Sequence, residues 1–368
     1  MTTKIYIPRD SSAIGMGADM LAERVTRVAQ SKNKDIQVVR NGSRGLLWME
    51  PLLEVETESG RIGFSNVSCD DVDDLVHSDF SESGVSSKNI GLVDEVPYLK
   101  NQERLCFARN GITDPVSIKD YIEHGGFKGL RRAMELDSRS IVDVVTESGL
   151  RGRGGAAFPT GIKWNTVLNC EAKQKYIVCN ADEGDSGTFS DRMTMEGDPF
   201  ALIEGMSISA FAVGATKGYL YLRSEYPHAE EVFNEALRIA RAEGYLGKDI
   251  CGSKRDFDIE LRRAAGAYIC GEETSLLESL EGKRGLVRAK PPLPAISGLF
   301  GQPTVVNNVI TFSSVPFILS NGADAYKDYG MGRSTGTLPI QLAGNIRQGG
   351  LVEKAFGVTL NELLYDFG

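Results

Sequence analysis

Histidine is scarce, with only His77, His124 and His228 in 368 residues. None of the three stands beside another group of chemistry-bearing side chains, which argues against a zinc centre and against a Ser–His or Cys–His nucleophile. The six cysteines, Cys69, Cys106, Cys170, Cys179, Cys251 and Cys270, are scattered and form no Cys-x-x-Cys pair. Isolated thiols in a chain of this size point to a reducing compartment. There is no basic excess either: the formal charge is -9, and a nucleic-acid partner would call for a dominant basic face. Long apolar runs are missing. The best, Ala201 to Ala215, is short and contains Glu204 and two glycines, so no membrane insertion is expected. Met1 to Asp10 lacks the apolar core of a secretion signal. These absences predict a soluble, cytoplasmic protein.

Glycine and cations are concentrated in one place, Arg151-Gly-Arg-Gly-Gly-Ala-Ala-Phe-Pro-Thr-Gly-Ile-Lys163-Trp164. Residues without Cβ atoms let backbone N–H groups approach a ligand closely, and converging N–H dipoles favour phosphate. Arg151, Arg153 and Lys163 add full charges, while Phe158 and Trp164 offer flat faces for a ring system. The loop reads as a nucleotide seat; the alternative is a glycine-rich surface turn. Gly152-x-Gly154-x-x-Ala157 has the spacing of a dinucleotide fingerprint, but the segment before it looks helical where that fingerprint follows a strand. No GxxxxGK[ST] loop occurs, since Arg284 follows Gly282-Lys283.

Patterning predicts an α/β protein. Residues 1–80 read as β-α-β-β-β-α: a strand at Lys4–Ile7, a helix at Ala18–Gln30 and a strand at Ile36–Arg40 ending in an Asn41-Gly42 turn. A hairpin from Trp48 to Val67, then a helix from Asp70, complete a thioredoxin-like domain. Residues 81–100, serine-rich at their start, read as a linker. Residues 101–333 form a ligand-binding domain, with Asp114-Pro115 capping one helix and Asp137 or Ser138 another. Strands at Lys175–Asn180, Gly218–Leu222, Phe257–Arg262 and Ala267–Cys270 alternate with helices, which implies a mostly parallel, Rossmann-like sheet covered on both faces. Residues 334–368 begin a β-grasp-like module that the chain ends before closing, read as a truncation.

Ligands of such sheets sit beyond the carboxyl ends of the strands. Asn180, Asp182 and Glu183 follow a buried strand, and their amide and carboxylate groups suit a polyhydroxyl chain. A solvated acidic turn is the other reading of Asp182-Glu-Gly-Asp185. Glu272 and Glu273 open a helix after Tyr268-Ile-Cys-Gly271, where the helix dipole alone accounts for one acid. Asn307 and Asn308 are either turn formers or pocket amides. Without an acid–base histidine, transfer between bound cofactors is the chemistry these loops suit.

Four motifs in order carry a family resemblance: Ser148 to Trp164, Cys179-Asn-Ala-Asp-Glu-Gly-Asp-Ser-Gly-Thr-Phe189, Gly266-Ala-Tyr-Ile-Cys-Gly-Glu-Glu-Thr274 and Pro303-Thr-Val-Val-Asn-Asn308. From about Tyr121 onward the chain resembles the NADH-binding flavoprotein subunit of respiratory complex I. The N-terminal extension and the Glu183-Gly-Asp-Ser-Gly187 variant resemble most the beta subunit of cytoplasmic NAD-dependent formate dehydrogenases, with the diaphorase subunit of NAD-reducing hydrogenases as the rival. The resemblance implies FMN and NAD(H) in one cavity. It places Gly152, Gly154, Gly155 and Lys163 at the FMN phosphate and ring. Asn180, Asp182 and Glu183 fall at the ribityl and isoalloxazine side, Glu183 tuning the flavin, with Gly271, Asn307 and Asn308 completing the pocket. Phe158, Tyr268, Glu272 and Glu273 line the nicotinamide side, and Asp185 stands near it.

The implied activity is hydride exchange between NAD(H) and FMN, with single electrons relayed to iron–sulfur clusters. The implied partners are an iron–sulfur subunit of the thioredoxin-like ferredoxin type and a larger molybdenum-type formate dehydrogenase subunit. A complex I setting and a non-catalytic assembly or regulatory role are the alternatives. Three departures from the family pattern stand out. Ala157 replaces a frequent glycine, Gly184-Asp185 replaces Ser-Glu, and Leu293 replaces the phenylalanine of a Pro-Pro-Phe-Pro run. The family's cysteine quartet for a [4Fe–4S] cluster is absent from this chain, and Cys69 alone cannot hold a [2Fe–2S] cluster in the N-terminal domain.

Overall fold

The computed structural model describes residues 2–80 and 87–368. Strand β1 (Thr3–Tyr6) leads through α1 (Ser11–Gly15) and α2 (Ala18–Ser31) to a parallel β2 (Ile36–Val39). Helix α2 buries Leu21, Val25 and Val28 at helical spacing, while Met20 faces outward, 64% exposed. Strand β3 (Leu53–Thr57) runs antiparallel to β1 and turns into β4 (Gly60–Phe64). The hairpin starts later than its apolar pattern suggests. Leu47–Met49 is a 3-10 turn, and Pro51 has no N–H to give to a ladder. Helix α3 (Val72–His77) follows.

Strand β5 (Asn89–Leu92) then pairs with β4, giving the order β2-β1-β3-β4-β5. The stretch expected as a linker, 81–100, therefore contributes a sheet strand and helix α4 (Pro97–Lys100). Its first part, 81–86, lies outside the described residues. Ile90 and Val93 pack so tightly over Gly63 that a Cβ there would come within 2.8 Å of both. Asn41-Gly42 is no hairpin turn. Asn41 Nδ2 donates to the Gly111 carbonyl at 2.6 Å, and a Cβ on Gly42 would lie 2.8 Å from Gly197 Cα. These two residues join the first sheet to the rest of the molecule.

Helix α5 (Ile118–Glu123) is capped by Ser117, not by Asp114; α6 (Lys128–Glu135) and α7 (Ser138–Glu147) follow, the last capped by Asp137 as its sequence suggests. After the glycine loop come α8 (Thr160–Asn169), β6 (Tyr176–Ala181), α9 (Ser190–Gly197), α10 (Pro199–Val213), β7 (Lys217–Leu222), α11 (Pro227–Ala242) and β8 (Asp258–Arg263). The expected strand at Ala267–Cys270 is instead a 3-10 turn over Tyr268–Gly271; a short apolar run does not by itself distinguish the two. The domain continues with α12 (Glu273–Leu280), α13 (Pro294–Ser297), β9 (Thr304–Asn308), α14 (Val309–Asn321) and α15 (Ala323–Lys327).

The second sheet has the order β8-β7-β6-β9 and is parallel throughout. Ile177 and Cys179 of β6 join the large core with α10 and α14, while Val178 faces the α12 side with Leu276 and Leu277. Both faces are thus covered, which leaves the carboxyl edge for a ligand. Helix α10 is buried at all of its residues. It lies against α14 so closely that a Cβ on Gly205 would be 2.0 Å from the Phe312 carbonyl oxygen.

A small ribbon, β10 (Gly330–Met331) with β11 (Ser334–Thr335), leads to an antiparallel pair, β12 (Thr337–Leu342) and β13 (Gly350–Ala355). Helix α16 (Leu360–Glu362) follows. Among the described residues no helix is long and apolar enough to cross a membrane.

Candidate functional site

The strand order places a switch point between β6 and β9. The chain leaves β6 toward β7 on one side and meets β9 on the other, which opens a crevice at their carboxyl ends. Asn180 and Asn308 are register partners there, one strand end beside the other. Two cavities of 510 and 430 Å³ meet over this edge and share Gly154, Asn180, Gly271, Glu272 and Asn308 as walls. The first is also lined by Gly155, Asp182, Glu183, Asp185 and Tyr268. The second adds Gly152, Phe158, Lys163, Glu273 and Asn307. All fifteen residues singled out in the sequence line one cavity or the other.

The glycine loop closes on itself. Arg151 bridges Pro159, and the Gly152 N–H donates to the Phe158 carbonyl at 2.9 Å. At the tip, the N–H groups of Gly154 and Gly155 have no protein acceptor among the described residues, the arrangement an anion requires. Gly154 sits against Asn308, where a Cβ would lie 3.1 Å from the asparagine Cβ. Gly155 has a φ of 106°, which favours glycine, and Ala157 also takes a left-handed φ of 51°. A glycine at that position would suit this backbone better than alanine does.

Two of the loop's three cations are already engaged. Arg153 donates to Tyr326 Oη at 2.9 Å and to the Thr335 carbonyl at 2.7 Å, bracing the loop from behind. Lys163 donates to the Val306 carbonyl at 2.6 Å and lies 3.6 Å from Glu273; burial pulls its pKa down, against the pull of Glu273. Trp164 does not offer its ring to a ligand. It is fully buried on the inner face of α8, with Nε1 donating to Asn307 Oδ1 at 3.2 Å, so it positions Asn307. Phe158 is 45% exposed and remains the ring at the cavity mouth.

Asn180 ties two walls together, donating to the Gly271 carbonyl at 2.8 Å and accepting from the Asp182 N–H at 3.1 Å. Asp182 Oδ2 is buried without a partner, and burial pushes its carboxyl up to about 6 against the pull of Arg223. An orphan acceptor in a cavity wall is where a hydroxylated ligand would donate. Asp182→Asn is therefore expected to stabilise the ligand-free protein. The folded state holds the Asp182 proton up to about pH 6 and the unfolded chain only to the ordinary carboxylate range, so stability falls as pH rises through that interval. The variant should lose that slope and gain roughly 1 kcal/mol at neutral pH after allowance for solvent screening. Thermal midpoints taken below and above pH 6 check this; identical slopes in both proteins contradict it.

Glu183 accepts from four donors: Ser190 Oγ at 3.3 Å, the Asp191 and Arg192 N–H groups at 3.1 and 3.2 Å, and Tyr226 Oη at 3.0 Å. It thereby anchors the amino end of α9. Tyr268 Oη donates to Asp185 across the first cavity at 2.6 Å. The two acids after Gly271 divide their work. Glu272 caps α12, accepting from the Thr274 and Ser275 N–H groups at 2.8 and 2.9 Å. Although burial opposes it, the Thr274, Ser275 and Lys290 contacts hold its carboxyl at about 2. Glu273 pairs with Lys290 at 2.9 Å. Asn308 caps α14 through Oδ1, accepting from Ile310 N–H at 2.9 Å, and donates through Nδ2 to Asp191 Oδ2 at 2.7 Å.

Two residues of the site escaped the sequence reading. Lys290 stands in a proline-rich strap, where a lysine reads as solvated. Asp191 falls in the first turn of a helix, where an acid reads as dipole compensation. Among the described residues no group of three or more histidine, cysteine, aspartate or glutamate side chains is placed to hold a metal, and the cysteines are all free.

Residues 145–317 match the family model described as the Nuo51 FMN-binding domain. The HndC component of the NADP-reducing hydrogenase of Solidesulfovibrio fructosivorans is 50% identical over 269 residues, which is 73% of this chain and 55% of that protein. The F component of the NADH-quinone oxidoreductase of Aquifex aeolicus is 46% identical, over 68% of this chain and 59% of that protein. Its Escherichia coli counterpart is 45% identical, over 69% and 57%. The chain thus spans somewhat more than half the length of these relatives. A solved NAD+-reducing [NiFe]-hydrogenase, air-oxidised, superimposes with a TM-score of 0.62 at 27% identity, covering 99% of this chain and 60% of that one. This agreement extends through the N-terminal sheet as well as the central domain. By sequence and by fold, then, the chain is similar to the F components of NADH-quinone oxidoreductases and to hydrogenase subunits, and its central residues match the Nuo51 FMN-binding-domain model.

Proposed function

We propose that this chain is the diaphorase unit of a multisubunit oxidoreductase, seating FMN beneath NAD(H) at the β6–β9 switch point. The observation that carries this reading is the meeting of two N–H groups without acceptors, at Gly154 and Gly155, with the orphan Asp182 carboxyl across one cavity. A phosphate suits the first and a ribityl hydroxyl the second, so the residues present fit a flavin mononucleotide. FMN supplies the conversion between two-electron hydride chemistry and one-electron transfer. The protein's share is placement: Asn180, Gly271 and Asn308 hold the walls, and the flanking β6 and β9 fix their separation. A titration of the protein with FMN, followed by loss of flavin fluorescence, tests the seat; unquenched fluorescence at saturating protein contradicts it.

The second cavity suits the dinucleotide. Its cations, Lys163 and Lys290, are paired to Glu272 and Glu273 and could exchange those partners for a pyrophosphate. Lys290→Ala is expected to raise the KM for NADH on the order of tenfold, the worth of one charge-assisted hydrogen bond, while FMN binding persists. Steady-state NADH:ferricyanide kinetics check this; an unchanged KM removes Lys290 from the nucleotide site.

The partner subunits and the electron donor belong to the same proposal. The hydrogenase and quinone-oxidoreductase names of the relatives favour a hydrogenase or complex I setting. Formate as donor, through a molybdenum-type subunit, rests on the N-terminal extension and the Glu183-Gly-Asp-Ser-Gly187 variant. In this reading the N-terminal sheet unit is thioredoxin-like and docks an iron–sulfur protein, and β12–β13 open a β-grasp-like module. The [4Fe–4S] centre implied by the resemblance has no ligand set among the described residues. A cytoplasmic location accords with this role. A non-catalytic role predicts no NADH:ferricyanide activity after FMN addition.

A further inference from the structure

Asp191 is 4% exposed yet forms part of the wall of the first cavity, as Glu183 does. The two carboxyls are neighbours at the amino end of α9, and their surroundings are unequal. Glu183 receives four hydrogen bonds, two of them from the N–H groups of Asp191 and Arg192. Asp191 receives one side-chain hydrogen bond, from Asn308 Nδ2. No lysine or arginine salt bridge to Asp191 occurs among the described residues. Arg192, next in the chain, turns its guanidinium to Ser12 Oγ of the N-terminal unit. Arg223, beside β7, donates to the Glu183 carbonyl rather than to either carboxylate.

We propose that Glu183 and Asp191 share a single proton, carried on Asp191, and that this proton keeps the pair at one negative charge beneath the bound flavin. The inference rests on the flavin reading for its purpose and on the protein alone for its existence. A buried carboxyl beside a half-buried one cannot ionise at low cost while its neighbour is charged, and the one with more donors keeps the charge. The other titratable groups facing the pair agree. Cys179 of β6 is fully buried with its thiol held well above its ordinary pKa by burial and by Asp191. Tyr226 of α11 is pushed up by burial and by Glu183. Asp182 and Asp185 on the loop add negative charge and no compensation. Burial and Glu183 together hold Asp191 well above the usual carboxylate range. Ionisation at high pH breaks the Asp191 O–H bond and releases the proton to water, leaving two charges on the pair.

Asp191 is thus a positioning residue for charge. It acts on the ring through the field at the cavity floor, and no transfer of its proton to the cofactor is required. A carboxyl pair with one charge would bind an electron-rich ring less unfavourably than a pair with two.

Infrared difference spectroscopy of the purified, flavin-free chain tests the shared proton. Wild type minus Asp191→Asn should show the carbonyl stretch of a protonated carboxylic acid, shifting in deuterium oxide. In Glu183→Gln the Asp191 band should persist but shift in frequency, because burial alone already favours the protonated acid while the neighbouring negative charge is gone. Persistence of the band in Asp191→Asn, or an unshifted band in Glu183→Gln, overturns the sharing. Should Asp191→Asn not fold, Glu183→Gln carries this arm by itself. FMN titrations at neutral and alkaline pH test the consequence. Wild-type affinity should fall on the order of tenfold as Asp191 ionises, and the ratio of the two affinities should return to about one in Asp191→Asn. An equal alkaline loss in both proteins overturns the electrostatic role. Failure of the wild type to bind FMN at any pH rejects the flavin reading, and the infrared arm still judges the proton.

Discussion

Replacing Gly154 by valine is expected to weaken FMN binding severely while leaving the protein folded. Gly154 is a shared wall of both cavities, and a Cβ there would already press on Asn308 at 3.1 Å. Valine adds two methyl groups that have only the cavity to enter. Because Gly154 is not among the positive-φ glycines, the substitution brings a steric effect without backbone strain. The loss should be on the order of a hundredfold in affinity, the upper end of what overpacking costs. The thermal midpoint should change little, since the loop tip is exposed. Fluorescence titration of the variant reads the first quantity and a melting curve the second. Retained affinity would move the flavin away from this loop.

The second large effect lies behind the site. Glu204, on the buried helix α10, accepts from Tyr121 Oη at 2.5 Å and from the Phe127 and Leu130 N–H groups at 2.7 and 2.9 Å. It gathers the first turn of α6 onto the core. Burial raises its carboxyl pKa while those donors oppose the rise. Glu204→Ala strands three buried donors at once and leaves a void. The expected cost is about 3–5 kcal/mol, as for breaking a buried charged network, or roughly a 10 °C fall in Tm. Glu204→Gln keeps an acceptor and should cost less than half as much. Denaturant melts of the two variants side by side check the order; equal losses would show that the charge, not the hydrogen bonds, holds the helix.

Much of the site was legible because its residues do things few residue types can. A left-handed tip and close backbone approach call for glycine, so the loop at Gly152 to Gly155 announced itself. Asn180 stood out because a polar amide directly after an apolar run marks a strand end, whereas Asn307 and Asn308 read equally as turn formers and only the family resemblance put them in the pocket. The parallel sheet followed from the alternation of buried strands with helices. Other features depended on tertiary neighbours. Whether Trp164 faces ligand or core is decided by which side of α8 packs on Asn307, and no local pattern encodes that. Tyr268 to Gly271 is apolar enough for a strand but has no sheet neighbour to pair with. Residues 89–92 looked like linker because a four-residue edge strand with a glycine carries almost no periodicity. Asp191 was missed because its meaning lies in Glu183, eight residues away in sequence and adjacent in space.

The central claim is that FMN seated over the β6–β9 edge exchanges a hydride with NAD(H). Its most direct test is the visible spectrum of the FMN-loaded chain under anaerobic conditions, before and after one equivalent of NADH. The account predicts that the oxidised-flavin absorbance bleaches on mixing and returns when ferricyanide is added. A flavin that stays bound and fully oxidised in the presence of NADH would contradict it.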